Sequence, residues 1–174
     1  MRFVAVCLLL LGVPGGSSNR PVVQVQTFLA TTAVHPGSTV KVAVVARIVS
    51  RYHINDHKPS LNYLIPTQII FRKTPSLKVE KVIYPRGELT KFAFLDSPIS
   101  IYKGETRFGG ILRVSRSLRP GTYKLPADFA YQACNDRACL APAKVPFEIT
   151  VRVVPTSVPL KSSNTEVFEK INFP

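Results

Sequence analysis

The sequence predicts an all-β sandwich of about eight or nine strands, and three observations carry that prediction. Apolar residues recur with a period of two. The pattern is clearest over 39–49, where Val40, Val42, Val44, Ala46 and Ile48 alternate with Lys41, Ala43, Val45 and Arg47. That period, with β-branched residues, fits a half-buried strand better than a helix. Turn chemistry punctuates the chain at His35-Pro36-Gly37-Ser38, Pro85-Arg86-Gly87 and Arg119-Pro120-Gly121. Turn signals every ~8–12 residues are the pattern of a sandwich. Finally, 15 prolines and nine glycines in 174 residues oppose a helical bundle, because each proline breaks a helix interior.

The elements follow in order. Residues 22–30 read as a first strand and 39–49 as a second. Residues 51–64 are polar, contain Asn55-Asp56 and Lys58-Pro59-Ser60, and read as a loop. Strands are predicted at 67–73 and 78–84, with shorter extended runs at 89–95 and 99–102. Longer strands follow at 106–114, 123–131 and 145–154. A weak helical period survives only near 166–171. Residues 155–174 carry three prolines and Ser162-Ser163, and read as a tail that either lies along the sandwich or is mobile. The compact domain is expected over 20–155 and the tail over 156–174.

The amino-terminal segment has a different character. Met1-Arg2 precedes eleven uncharged residues, 3–13, and Pro14-Gly15-Gly16-Ser17-Ser18 follows. A positive start, a short apolar run and small residues make a secretory signal peptide over 1–18. The run is too short to span a bilayer, which needs ~20 residues; the alternative is a buried first strand. Cys7 would leave with the signal. The mature chain would then be periplasmic or secreted, without a membrane span, in a compartment that permits disulfides.

Composition narrows the function classes. With 45% hydrophobic and 19% charged residues the chain is not disordered. Lys plus Arg total 23 against 10 Asp plus Glu, a formal charge of +13. Such charge suits acidic partners, anionic membranes or nucleic acid. The basic residues are scattered, with no run of five or more like charges. A solvated basic surface is therefore expected, without a nucleic-acid site.

The informative segment is Tyr131-Gln132-Ala133-Cys134-Asn135-Asp136-Arg137-Ala138-Cys139-Leu140-Ala141-Pro142. Four residues separate its cysteines, and Asn135-Asp136 is turn material. A hairpin here would set the sulfurs across its base, because facing Cβ atoms in a strand pair lie ~4.5–5.5 Å apart, near the spacing a disulfide needs. A bond closing so short a loop contributes only ~2 kcal/mol in the chain-entropy model. Two readings stand: a bridge that shapes one loop of a binding module, or a dithiol that exchanges. Exchange needs an accessible, activated sulfur; Arg137 and Lys144 favour a thiolate and Asp136 opposes it. His53 and His57 with the cysteines make a trailing alternative as copper or zinc ligands, but Cys-x4-Cys is a poor zinc signature. No cofactor and no metal is expected. Cys-His nucleophilic catalysis is disfavoured, because a second cysteine five positions away would capture the first.

The same segment, Tyr131-Gln132-Ala133-Cys134 through Cys139-Leu140-Ala141-Pro142, resembles the cysteine-bearing segment of the N-terminal domain of the periplasmic thiol:disulfide interchange protein DsbD. His53-Ile54-Asn55 and Tyr63-Leu64-Ile65-Pro66-Thr67 are similar to a second segment of that family, and the resemblance covers about 22–154. It implies an immunoglobulin-like β-sandwich carrying a reactive dithiol, Cys134 and Cys139. The partners implied are thioredoxin-fold proteins, or a membrane electron donor on another chain, reached through mixed disulfides. Cys139 is favoured as the first to attack. The resemblance also implies a cap loop over the sulfurs at about 91–98, with Phe92 and Phe94 as its aromatics; core phenylalanines of a strand are the competing assignment. Tyr131, Gln132, Tyr63 and His53 are the candidate lining residues, with Tyr131 and Tyr63 equally readable as aromatics of the sandwich. DsbD continues into a membrane domain and a thioredoxin-like domain; neither is expected here, so reducing equivalents are expected to come from another polypeptide.

Overall fold

The structure is a computed structural model and describes residues 21–93 and 95–174. The expected signal segment with Cys7, and the cap candidate Phe94, lie outside the described residues. Eleven strands and one short helix run in chain order: β1 (Val23–Leu29), β2 (Thr39–Ile48), β3 (His53–Asn55), β4 (Gln68–Phe71), β5 (Leu77–Ile83), β6 (Glu88–Thr90), β7 (Ile99–Tyr102), β8 (Glu105–Val114), β9 (Gly121–Tyr131), β10 (Ala133–Cys134), β11 (Ala143–Val153) and α1 (Thr165–Phe168). They form three antiparallel sheets, ordered β1-β2-β8-β5, β11-β9-β4 and β10-β3-β7-β6. This is an immunoglobulin-like β-sandwich.

Alternation decides which side chains enter the core. Val40, Val42, Val44, Ala46 and Ile48 of β2 point inward, with Leu112 and Val114 of β8, onto Leu125, Phe129, Ile149 and Val151 of the second sheet. Phe108 joins all three sheets. Its ring meets Phe129 and Tyr102, each at 5.3 Å, and Tyr84 at 5.8 Å, all edge-on. Edge-to-face pairs stabilise by ~0.5–1.5 kcal/mol each beyond the area they bury.

Two departures from the sequence reading matter for the site. The stretch 51–64 is not all loop. His53-Ile54-Asn55 forms β3, fully buried and paired on both sides, to β7 through Ile54↔Tyr102 and to β10 through Cys134↔His53. Likewise the run at 89–95 is strand only through Thr90; beyond it the chain leaves the sheet.

The carboxy-terminal segment settles between the two expectations: it docks. Thr32 N–H donates to the Lys161 carbonyl, Ser163 N–H to the Ala30 carbonyl, and Asn164 Nδ2 to the Leu29 carbonyl. Asn164 adopts a left-handed φ of 56°, a conformation that Asn tolerates better than most residues. Val167 and Ile171 then bury against Ala43 and Val45 on the outer face of β2, flanked by Phe28, Ile83 and Phe173. Gly109 makes room for this: a Cβ there would sit 2.9 Å from Ile171 Cγ2.

Candidate functional site

Strand β9 runs through Gln132 into β10, and the chain then reverses. Asn135 drives the reversal. Its Oδ1 accepts the backbone N–H groups of Arg137 (2.9 Å) and Ala138 (3.0 Å), as an Asx-type turn does. Asn135 N–H donates to the Ala138 carbonyl and Leu140 N–H to the Ala133 carbonyl, at 3.0 and 2.8 Å. Those two bonds bracket the cysteines, so Cys134 and Cys139 are a facing pair without hydrogen bonds of their own, the closer of the two antiparallel pair types. Their Cα atoms lie 3.9 Å apart and their sulfurs are bonded. Gln132 Nε2 donates to the Leu140 carbonyl at 3.2 Å and clasps the base. The expected hairpin is present, with the disulfide across it.

The two sulfur-bearing residues differ in environment. Cys134 is only 4% exposed, whereas Cys139 lies on the exposed limb. Cys134 faces His53 across the β10–β3 pair. Facing residues share a sheet side with Cβ atoms ~4.5–5.5 Å apart, so His53 and Cys134 are neighbours on the outer face of this small sheet. Burial lowers the His53 pKa below its ordinary value, and the Asp136 carboxylate opposes that shift.

A loop covers this face. After β6 the chain folds over it, and the Phe92 ring lies 4.7 Å from the His53 ring, tilted by 30°. Lys91 Nζ fastens the loop by donating to the carbonyls of Leu95 and Asp96. Phe92 is thus no core phenylalanine of a strand. Beside it opens a groove of about 560 Å³ lined by His53, Phe92, Thr90, Arg51, Tyr52 and Lys103, among others. A second hollow, about 450 Å³, runs from Ser50-Arg51-Tyr52 to Asn135-Asp136-Arg137. The turn at 50–52 therefore walls both hollows and joins the capped face to the hairpin tip. Arg51 holds that turn with a left-handed φ of 70°.

The other candidates scatter. Tyr131 is buried against Phe129, with ring centroids 6.0 Å apart, so it belongs to the core. Burial raises its pKa, against an opposing bond from the Val23 N–H. Tyr63 is 67% exposed in the loop between β3 and β4 and lines neither hollow. His57 stacks on Tyr84 at 3.5 Å and donates from Nδ1 to the Thr67 carbonyl. Among the described residues no three or more His, Cys, Asp or Glu side chains converge on one point.

Asp56 is the residue the sequence reading passed over. It ties the end of β3 to β7 and to the turn before β6. Oδ2 accepts from Ser100 Oγ (2.6 Å) and Gly87 N–H (3.1 Å), and Oδ1 from Tyr102 OH (2.6 Å) and Lys58 N–H (3.2 Å). Burial alone would raise its pKa, but these four donors hold it below the usual carboxylate value. Gly87 has no space for a Cβ, which would collide with Ser100 Oγ and Asp56 Oδ2. Burial, with the bond to Asp56, drives the Tyr102 phenol well above its ordinary pKa. Only Asp56 in a polar loop was visible in the sequence; apart from the local Lys58 N–H, its donors come from two distant segments, Gly87 and the Ser100–Tyr102 stretch of β7.

No protein-family model matches the chain, and no curated protein matches it. Solved structures do. In fold, the chain is similar to the N-terminal periplasmic domain of ScsB from Proteus mirabilis. The match has a TM-score of 0.53 at 13% identity and covers 92% of this chain and 57% of that one. The chain therefore spans a little over half the length of the ScsB domain. The N-terminal domain of DsbD from Neisseria meningitidis, in its reduced form, also matches, at 16% identity over 79% of this chain and 88% of that one, with a TM-score of 0.38. A type I cohesin from Pseudobacteroides cellulosolvens matches at 12% identity over 76% and 94%, with a TM-score of 0.41. Among the described residues no helix is long and apolar enough to cross a membrane.

Proposed function

We propose that this protein is an exported thiol:disulfide exchange domain. It passes reducing equivalents to or from thioredoxin-fold partners, or from a membrane electron donor on another chain, through a Cys134/Cys139 dithiol and mixed disulfides. The observation that carries the reading is the asymmetry of the pair: an exposed Cys139 bonded to a buried Cys134, on a hairpin outside the main core. Exchange requires one sulfur open to in-line attack and a second that stays within the domain as leaving group or resolving thiol. Cys139 suits the first task and Cys134 the second. The Phe92 loop suits a cap that shields the pair until a partner docks. A periplasmic or secreted setting fits both the disulfide and the signal read in 1–18.

The test is a trapping experiment joined to a potential. Cys134→Ser leaves Cys139 unable to be resolved, and should accumulate a mixed disulfide with a thioredoxin-fold protein. The wild-type pair should equilibrate with glutathione at a potential above about −300 mV. A pair well below that value, with neither single-cysteine variant trapping a partner, would return the protein to the class of binding modules with a structural bridge.

A further inference from the structure

Resolution of a mixed disulfide poses a specific problem here. Cys134 is buried, and burial in apolar surroundings raises a thiol's pKa and suppresses the thiolate that must attack. A proton acceptor at Cys134 would remove that obstacle. Resting on the exchange reading, we propose that His53 is that acceptor: the β3–β10 register sets it opposite Cys134 on one side of the sheet, beneath the Phe92 ring and at the edge of a groove.

Three features of the site support this role. The first is placement. His53 and Cys134 are facing residues on one sheet side, and both are nearly buried. The second is availability. His35 and His57 each commit a ring nitrogen to a backbone carbonyl, whereas among the described residues no such bond holds the His53 ring. The third is charge. Burial keeps the ring neutral at pH 7, so it starts as a base, and Asp136 stabilises the imidazolium it becomes. The other charged groups about the groove are Arg51 and Lys103. Lys103 is offset by Glu88, whose carboxylate accepts from its ammonium at 2.7 Å, and Arg51 lies on the turn.

The Cys139 thiolate attacks a partner disulfide, a Cys139–partner S–S bond forms, and the partner's second sulfur leaves with the electron pair. The Cys134 thiol gives its proton to the His53 ring. Its thiolate attacks Cys139 Sγ, the Cys134–Cys139 bond forms, and the mixed disulfide breaks. The partner's remaining sulfur leaves as a thiolate and takes a proton from the imidazolium through groove water. The cysteine pair is oxidised and the partner is left as one thiol and one thiolate, the thiolate taking from water the proton that Cys139 gave up when it ionised. Read backwards, the imidazolium protonates Cys134 as it departs.

The experiment uses the reduced full-length mature protein and glutathione disulfide, with acid quenching and mass detection of the glutathionylated intermediate from pH 6 to 9. In the wild type, decay of the intermediate should level off above the titration of His53. In His53→Gln it should be slower by ~100-fold at pH 6.5, the low side of general-base effects. It should then climb about tenfold per pH unit until the thiol itself ionises near its ordinary ~8.5 or above, and converge with the wild type at pH 9. Equal rates and equal profiles would overturn the role of His53 and leave the exchange reading standing. A wild type that forms no intermediate and is not oxidised would overturn both. Should the variant fail to fold, nitrogen-detected titration of His53 in the wild type decides. Its midpoint should rise on reduction, and the rise should vanish in Cys134→Ser; one midpoint in both redox states overturns the proposal.

Discussion

Reduction of the disulfide should leave this domain folded, and the structure sets the size of the effect. The bond closes a loop of six residues, with a sequence separation of five. In the chain-entropy model such a loop removes only ~7 cal/mol/K from the unfolded ensemble, or about 2 kcal/mol at 25 °C. The hairpin keeps other ties when the bond opens: the Asn135 turn, the Leu140–Ala133 bond, the Gln132 clasp and the register with β3. Neither cysteine belongs to the main core cluster. For a domain of this size 1 kcal/mol moves Tm by roughly 2–4 °C, so a reductant should lower Tm by about 4–8 °C. By linkage, folding then lowers the potential of the pair by only about 50 mV relative to the unfolded chain. The assay is thermal unfolding by circular dichroism with and without a phosphine reductant, repeated on the Cys134→Ser/Cys139→Ser double variant. Loss of cooperative unfolding, or a drop beyond about 20 °C, would show that the bond staples the fold, and the argument from loop length would fail.

The parts of the site visible in the sequence are those written in local chemistry. Cys134, Cys139 and the Asn135-Asp136 turn lie within one short segment, so spacing and turn preference were enough to place the sulfurs together. Strand β3 was not visible, because three residues are too few to show a period. It exists because Ile54 and Asn55 pair with β7 while His53 and Ile54 pair with β10, contacts that only the tertiary fold supplies. For the same reason the His53–Cys134 neighbourhood, 81 residues apart in sequence, had to come from register. Tyr131 read equally as site or core, since alternation cannot distinguish one buried face from another. On β2, Ala43 and Val45 stand on the face opposite the inward valines, and in the sequence they read only as the outer side of a half-buried strand. What covers them, Val167 and Ile171, was masked by the prolines around them, which read as tail.

Three further outcomes follow from particular contacts. Phe92→Ala should speed reduction of the disulfide by a small thiol several-fold, read by thiol trapping; an unchanged rate would remove the loop from its capping role. Asp56→Asn should destabilise the protein at pH 7 by ~2 kcal/mol, because an amide cannot accept all four bonds and charged acceptors bind more strongly than neutral ones. The pH dependence has a definite sign: the folded carboxyl titrates below its ordinary value, so its contribution is present above the unfolded value near 3.9 and is lost as pH falls through the folded one. Urea unfolding should therefore show the gap between wild type and variant narrowing from pH 7 to pH 3; a constant gap would mean that the carboxylate's charge is irrelevant. Ile171→Ala tests whether the carboxy-terminal segment is part of the folded unit. Ile171 is 8% exposed and packs against Ala43, Val45 and the face of Gly109, a site at the rim of the fold where the chain can partly close over the space. The loss should sit at the low end of Ile→Ala values, ~2–3 kcal/mol, or about 5–10 °C in Tm. A change within ~0.5 kcal/mol, the range of ordinary surface substitutions, would mean that the segment does not hold to the sheet in solution and that Ala43 and Val45 must find another cover.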